Sequence, residues 1–146
     1  MRWAPRVTVA AIIENEGRFL FVQELQSNLL VLNQPAGHLE DGESCQDAVI
    51  REVLEESGWQ FLPESVVGIY RWVNPIQHDT YFRICFSGSV INHDPERSLD
   101  EGIVATLWLK LNELTSYELR SPMVTQCIDD YLAGNRFPLS ILNDIN

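Results

Sequence analysis

Cysteine, lysine and long apolar stretches are scarce in this chain of 146 residues, and each shortage excludes a class of protein. The longest apolar run, residues 7–13, is far shorter than the roughly 20 residues that a membrane-spanning helix needs. The first six residues lack the apolar stretch of a secretory signal. Cys45, Cys85 and Cys127 are odd in number, widely spaced and outside any C-x-x-C motif, which argues against disulfides and a cysteine zinc site. We therefore expect buried thiols in a reducing compartment and a cytoplasmic protein.

Positive charge is also scarce. Ten Lys and Arg residues oppose 21 Asp and Glu residues, the formal net charge is −11, and Lys110 is the single lysine. Because so acidic a chain repels phosphate backbones and anionic lipids, we expect no nucleic-acid polymer and no membrane as a partner. A phosphorylated substrate would need a bridging cation, and clustered carboxylates favour Mg²⁺, Mn²⁺ or Ca²⁺.

Length and patterning predict one domain with a mixed sheet. Two apolar stretches around Asn15-Glu16-Gly17 indicate a hairpin. Strands are predicted at residues 7–13, 19–24, 29–32, 65–73, 80–90 and 104–109, helices at 44–57 and 123–133, and loops at 36–43 and 92–102. Ser44 is an N-cap residue type, and Gly58 suits the left-handed position after a helix. Strands on both sides of a central helix, with a second helix near the end, predict helices on both faces of the sheet.

The first predicted helix carries three acids on one face. Glu52, Glu55 and Glu56 fall within an arc of about 100°, beside the apolar Val49 and Val53 that should face the sheet. Like charges at these spacings destabilise a helix by ~0.2–0.5 kcal/mol per pair, and they lie at the unfavourable end of the helix dipole. Such a cluster is typical either of a solvated helix face or of a divalent metal site.

The loop before the helix extends these acids into a longer pattern. The spacing G-x5-E-x7-R-E-U-x-E-E-x-G-U, in which U is a bulky apolar residue, is met by Gly37, Glu43, Arg51, Glu52, Glu55, Glu56 and Gly58. This pattern resembles the signature of the Nudix hydrolases at all seven fixed positions. At about 7% per position, a chance match would arise roughly once in 10⁸ starting points. Val53 fits the first U, whereas Trp59 at the second is larger than the usual aliphatic residue.

The resemblance implies an α+β protein with the Nudix fold, an α-β-α sandwich with a central mixed sheet and helices on both faces. It implies a single domain over residues 1–146, with the Nudix box at residues 37–59. Residues 33–40, 119–122 and 136–139 are similar to the bacterial NudJ-type phosphatases, a subgroup that hydrolyses pyrophosphate-bearing small molecules. The implied substrates are hydroxymethylpyrimidine pyrophosphate, from thiamine biosynthesis, and nucleoside di- and triphosphates. Mg²⁺ is the implied cofactor, with Mn²⁺ as a substitute, and a monomer or homodimer is expected.

Site roles follow from the same resemblance. The metal ligands are expected to be the backbone carbonyl of Gly37 and three carboxylates, those of Glu52, Glu55 and Glu56. Glu52 is expected to orient or deprotonate the attacking water. Arg51 is expected to hold the geometry of the cluster by pairing with Glu43, and direct contact with phosphate is its less favoured alternative. Some Nudix enzymes use an acid from a later loop instead, and the candidates here are Asp100 and Glu101, for which a solvated surface role is the alternative.

Substrate contacts are less closely specified by the sequence. Arg83 and Arg120 are candidates for binding phosphate as bidentate hydrogen-bond donors, and Trp72 is a candidate for stacking on a pyrimidine ring. A structural role is the alternative for each of the three.

Two other function classes compete with the hydrolase. A Nudix-like module that binds a nucleotide without cleaving it commonly has eroded glutamates and an added DNA-binding segment, whereas the acids here are intact and no residues remain for a second domain. A Ca²⁺-binding structural protein is not favoured, because Asp41-Gly42 lacks the D-x-[DN]-x-[DN]-G loop.

Overall fold

The strands of the computed structural model, which describes residues 2–145, form a mixed sheet. The strands are β1 (Arg6–Asn15), β2 (Arg18–Gln26), β3 (Leu29–Asn33), β4 (Ala36–His38), β5 (Gln60–Val73), β6 (Thr80–Ile91) and β7 (Ile103–Leu109). The helices are α1 (Cys45–Ser57) and α2 (Pro122–Leu132), with 3-10 turns at Leu111–Ser116 and Leu139–Ile141. One part of the sheet has the order β4-β1-β6-β5, in which β1 and β6 are parallel. The predicted hairpin of β1 and β2 leads into the other part, β3-β2-β7.

The central strand β1 contributes to a hydrophobic core on each of its faces. Successive side chains of a strand point to opposite sides. Val9, Ala11 and Ile13 therefore join a cluster with Val49 and Val53 of α1. The alternate residues of β1 join a second cluster with α2. The α-β-α sandwich predicted from the sequence is confirmed.

Helix α1 has the ends that its sequence predicts. The Ser44 Oγ accepts a hydrogen bond from the Asp47 backbone N–H at 3.1 Å. Gly58 has a φ of +76°, and its N–H donates to the Leu54 carbonyl. A β-carbon at Gly58 would also come within 2.6 Å of the Asp94 carbonyl oxygen, so glycine is required there for two reasons. Within residues 2–145, no helix has the length and apolar character needed to cross a membrane.

Two segments differ from the sequence prediction. Residues 36–38, predicted as loop, form β4 and pair antiparallel with β1. Three residues carry no detectable periodicity, and their partner is distant in the sequence. β5 begins at Gln60, whereas the sequence prediction began this strand at Ser65. A bulge between Pro63 and Ser65 interrupts the alternation of side chains, so the pattern did not reveal the first residues of the strand. The first difference matters for function, since β4 carries Gly37 against α1.

Candidate active site

A cavity of about 560 Å³ lies where α1 and β4 meet the ends of the central strands. Its acidic lining residues are Glu24, Glu40, Glu52, Glu55, Glu56 and Asp100, and its arginines are Arg51, Arg83 and Arg120. Because these carboxylates outnumber the guanidinium groups two to one, the cavity repels an anion unless a cation accompanies it.

Arg51 ties the loop before α1 to the acids on the helix. Its Nε and Nη2 donate to the two carboxylate oxygens of Glu43 at 3.0 and 2.7 Å. Its Nη1 donates to Glu52 at 2.7 Å and to Glu55 at 3.3 Å, and Nη2 also donates to the carbonyl of His38 at 3.1 Å. The hydrogen bonds from Arg51 lower the pKa of Glu43. All five N–H donors of the guanidinium are thus used inside the protein, which leaves none for a phosphate.

Glu52 lies buried against the backbone of β4. Burial raises its pKa to about 7, against the opposing effect of the hydrogen bond from Arg51. A β-carbon added at Gly37 would overlap the Glu52 carboxylate. Glycine at residue 37 is therefore needed for this close approach, which places the Gly37 backbone beside the carboxylate.

Glu56 is the most deeply desolvated acid of the cavity. Its Oε1 accepts a hydrogen bond from the Ala36 backbone N–H at 2.9 Å. Burial nevertheless raises its pKa to about 9, and repulsion from Glu52 adds to the shift. At neutral pH this carboxyl is protonated unless a cation binds close enough to lower its pKa.

Asp100 joins the helix acids from the loop between β6 and β7. One carboxylate oxygen from each of Glu52, Glu55 and Asp100 lies within 4.8 Å of the other two. The Asp100 backbone N–H donates to the Glu55 carbonyl at 3.0 Å. Burial and the Glu55 carboxylate raise the pKa of Asp100. Glu101 is exposed and does not line the cavity. Three hard oxygen donors at this spacing fit Mg²⁺ or Mn²⁺, and Glu56 faces the same cavity outside this group of three.

Comparison with known proteins identifies the family. The sequence model of the Nudix domain family matches residues 4–127 of this chain. The chain belongs to the Nudix hydrolases. Phosphatase NudJ of Escherichia coli K12 is 35% identical over 143 residues, which cover 97% of this chain and 93% of that protein. A Nudix hydrolase of Nitrosomonas europaea is 49% identical, with a TM-score of 0.95 over 97% of this chain and 98% of that chain.

A more distant structure shares the Nudix fold. An ADP-ribose pyrophosphatase from Streptococcus suis is 22% identical, with a TM-score of 0.70 over 90% of this chain and 92% of that chain. At this identity the likeness concerns the fold alone. The matches to closer relatives confirm the predicted family and the hydrolase class.

Arg83 lies on the wall of the Nudix site but is held by protein partners. Its Nη1 donates to the Gln34 side chain at 2.9 Å and its Nη2 to the Asn33 side chain at 3.1 Å. Within residues 2–145, the buried Arg83 Nε and Thr8 Oγ1 have no hydrogen-bond partner. Both terminal nitrogens of Arg83 thus donate to protein side chains, and its remaining nitrogen, Nε, is buried. The sequence analysis did not identify Asn33 and Gln34 as partners of Arg83. Their position just before the Nudix box is the feature of the sequence that could have suggested a role in the site.

Arg120 and Trp72 extend the Nudix site away from the carboxylates. Both line the main cavity and a neighbouring one of about 410 Å³. The Arg120 Nε lies 3.7 Å from the Glu24 carboxylate. The Trp72 ring lies 5.7 Å from the Tyr81 ring, centroid to centroid, at a tilt of 36°. The acidic cavity is therefore bordered, on the side of the second cavity, by an aromatic ring and a guanidinium group.

Proposed function

We propose that residues 1–146 act as a single Nudix domain that uses Mg²⁺ to hydrolyse the phosphoanhydride bond of a small pyrophosphate. The observation that carries this proposal is the convergence of oxygens from Glu52, Glu55 and Asp100 within 4.8 Å on the cavity wall. Mn²⁺ is the expected substitute ion. The chain's own cations do not neutralise the cavity, so a bound divalent ion accounts for carboxylates that repel one another.

The metal is held in this proposal by Glu52, Glu55 and Glu56 together with the Gly37 carbonyl, and Asp100 completes the group. When bound, Mg²⁺ polarises the phosphoryl oxygens and lowers the pKa of its coordinated water. Glu56 is kept in place by the Ala36 N–H. Glu52 is kept in place by Arg51.

Glu52 is our assignment for the residue that orients or deprotonates the attacking water. Its Oε1 is fixed by Arg51, while its Oε2 accepts no hydrogen bond from the residues that the structure describes. Asp100 is the alternative base. Arg51 acts as a positioning residue in this scheme, because its donors are already committed to the protein.

The organic part of the substrate is assigned to the side of Trp72 and Arg120. A planar ring gains free energy by stacking on an indole, and Arg120 lines the same two cavities as Trp72. These features favour a pyrimidine pyrophosphate such as hydroxymethylpyrimidine pyrophosphate, or nucleoside di- and triphosphates. The likeness to phosphatase NudJ supports the same class.

A substrate panel at fixed Mg²⁺, with products identified by mass spectrometry, tests the proposal. Glu52→Gln and Glu56→Gln are expected to lower kcat by about 10²- to 10⁴-fold, the range that a positioned acid or base supplies. Glu64→Gln is the matched control, because Glu64 is an exposed acid of β5 outside the cavity. Wild-type turnover by the Glu52 variant would show that the site is wrongly assigned.

A further inference from the structure

The loop of residues 92–102, between β6 and β7, is attached to the C-terminal end of α1. The Asp94 backbone N–H donates to the Gly58 carbonyl at 2.8 Å. His93 Nε2 lies 3.2 Å from the Ser57 carbonyl oxygen, to which it donates in the tautomer protonated at Nε2. The first part of the loop therefore takes up carbonyl groups that the end of the helix leaves free.

An aromatic stack reinforces this attachment. The His93 ring lies on the Trp59 ring with centroids 4.3 Å apart and an angle of 20° between the planes. Trp59 in turn contacts Trp108 of β7 edge-on, at 6.2 Å and 87°. An aliphatic residue at position 59 would offer no ring face to His93. The departure of Trp59 from the usual pattern thus has a structural counterpart in this chain.

The far end of the same loop carries the acid of the site. The Asp100 N–H binds the Glu55 carbonyl, and its side chain lies in the carboxylate group with Glu52. Asp94 and Asp100 are thereby both fixed to α1, one turn apart along the helix. The short segment between them has little freedom to move Asp100 away from the cluster while both contacts hold.

We propose that His93 and Trp59 are positioning residues, whose stack holds residues 92–102 on α1 and so keeps Asp100 beside Glu52 and Glu55. The metal part of this inference rests on the proposed function. The free energies of aromatic pairs correspond to a factor of about 2 to 10 in an equilibrium constant. Loss of the stack should therefore increase the population of the detached loop, and lower the affinity for the metal ion, by a factor in that range.

Three variants test this role. His93→Ala removes the stack, His93→Phe keeps it but loses the bond to Ser57, and Ser98→Ala is the control, since Ser98 is an exposed residue of the same loop. The first measurement is hydrogen exchange of the Asp100 amide in the metal-free protein. The second is the affinity for Mn²⁺ by calorimetry, and the third is kcat and KM with the best substrate of the panel.

His93→Ala is expected to speed exchange at Asp100 by about 3- to 10-fold and to weaken Mn²⁺ binding by a similar factor. Ser98→Ala is expected to stay within twofold of the wild type in both measurements, whereas His93→Phe, which keeps the stack but loses the bond to Ser57, should lie between the wild type and His93→Ala. The effect on kinetics should fall on kcat at limiting metal rather than on KM for the substrate.

The positioning role is overturned if His93→Ala exchanges at the wild-type rate and binds Mn²⁺ equally well, or if His93→Phe loses as much as His93→Ala. Failure of the proposed function is a separate result. If the wild type hydrolyses no member of the panel, the hydrolase assignment fails, while exchange in the metal-free protein still decides whether the stack holds Asp100.

Discussion

The metal-free protein is expected to lose stability as the pH rises from about 5 to 9. Burial raises the pKa of Glu56 to about 9 and that of Glu52 to about 7, from an ordinary value of 4.5. Between pH 4.5 and these raised pKa values, the two carboxyl groups bind more protons in the folded state than in the unfolded state. The free energy of unfolding therefore falls as the pH rises. The lowered pKa values of Glu43 and His38 have the opposite sign, but the contribution of Glu43 to stability is complete above about pH 5 and that of His38 above about pH 7.

The size of this loss follows from the same shifts. Each pKa unit corresponds to about 1.36 kcal/mol. Between pH 5 and pH 8, Glu56 alone gives at most about 4 kcal/mol and Glu52 at most about 3 kcal/mol. Since each carboxylate raises the pKa of the other, the two contributions are not independent. A combined loss of about 3–5 kcal/mol corresponds to a fall in Tm on the order of 10 °C for a chain of this length.

Thermal denaturation in EDTA at each pH from 5 to 9 measures the effect. Glu56→Gln should flatten the profile, because the amide does not titrate, whereas the exposed-site control Glu64→Gln should keep the wild-type slope. Mg²⁺ should raise Tm more at pH 8 than at pH 5, since it binds the ionised carboxylates. A flat wild-type profile in EDTA between pH 5 and 8 would refute the reasoning, as would equal slopes for the two variants.

Three further variants probe individual contacts. Gly37→Ala should lower kcat by at least 100-fold in the substrate assay, because its β-carbon displaces the Glu52 carboxylate; wild-type kcat would contradict the close approach. Thr8→Val should raise the free energy of unfolding by about 1 kcal/mol in urea, since the buried hydroxyl has no partner within the described chain. The control Thr106→Val should change it little, and a destabilised Thr8 variant would oppose the prediction. Arg51→Lys should cost about 10- to 100-fold in kcat, because an ammonium group cannot replace a fork that serves several acceptors; an unchanged kcat would remove its positioning role.

The parts of the fold that depend on local chemistry could be predicted from the sequence. The ends of α1 follow from a hydroxyl at Ser44 and a left-handed glycine at Gly58, both of which act within one turn of the helix. The sandwich follows from the order of strands and helices along the chain and from the continuous apolar run of β1, which suits a strand buried on both faces. β4 could not be predicted, because three residues become a strand only through pairing with β1.

The candidate site divides in the same way. The helix acids and Arg51 share one short pattern, so their grouping is visible in the sequence. The choice between Asp100 and Glu101 cannot be made from the sequence. The two acids are adjacent in a loop, and only the folded backbone determines which side chain points into the cavity. The partners of Arg83 lie about fifty positions away in the chain, and no local signal shows that both of its terminal nitrogens donate to them.

The complete use of the Arg51 donors has a consequence for how a substrate enters. A free diphosphate approaching the cavity meets more negative than positive groups, and Arg51 has no hydrogen bond left to offer it. A diphosphate already complexed with a divalent ion carries less negative charge and is repelled less. If the proposed metal dependence holds, the supply of free divalent ion should govern the rate at which substrate enters as well as the hydrolysis, and a chelator should stop both.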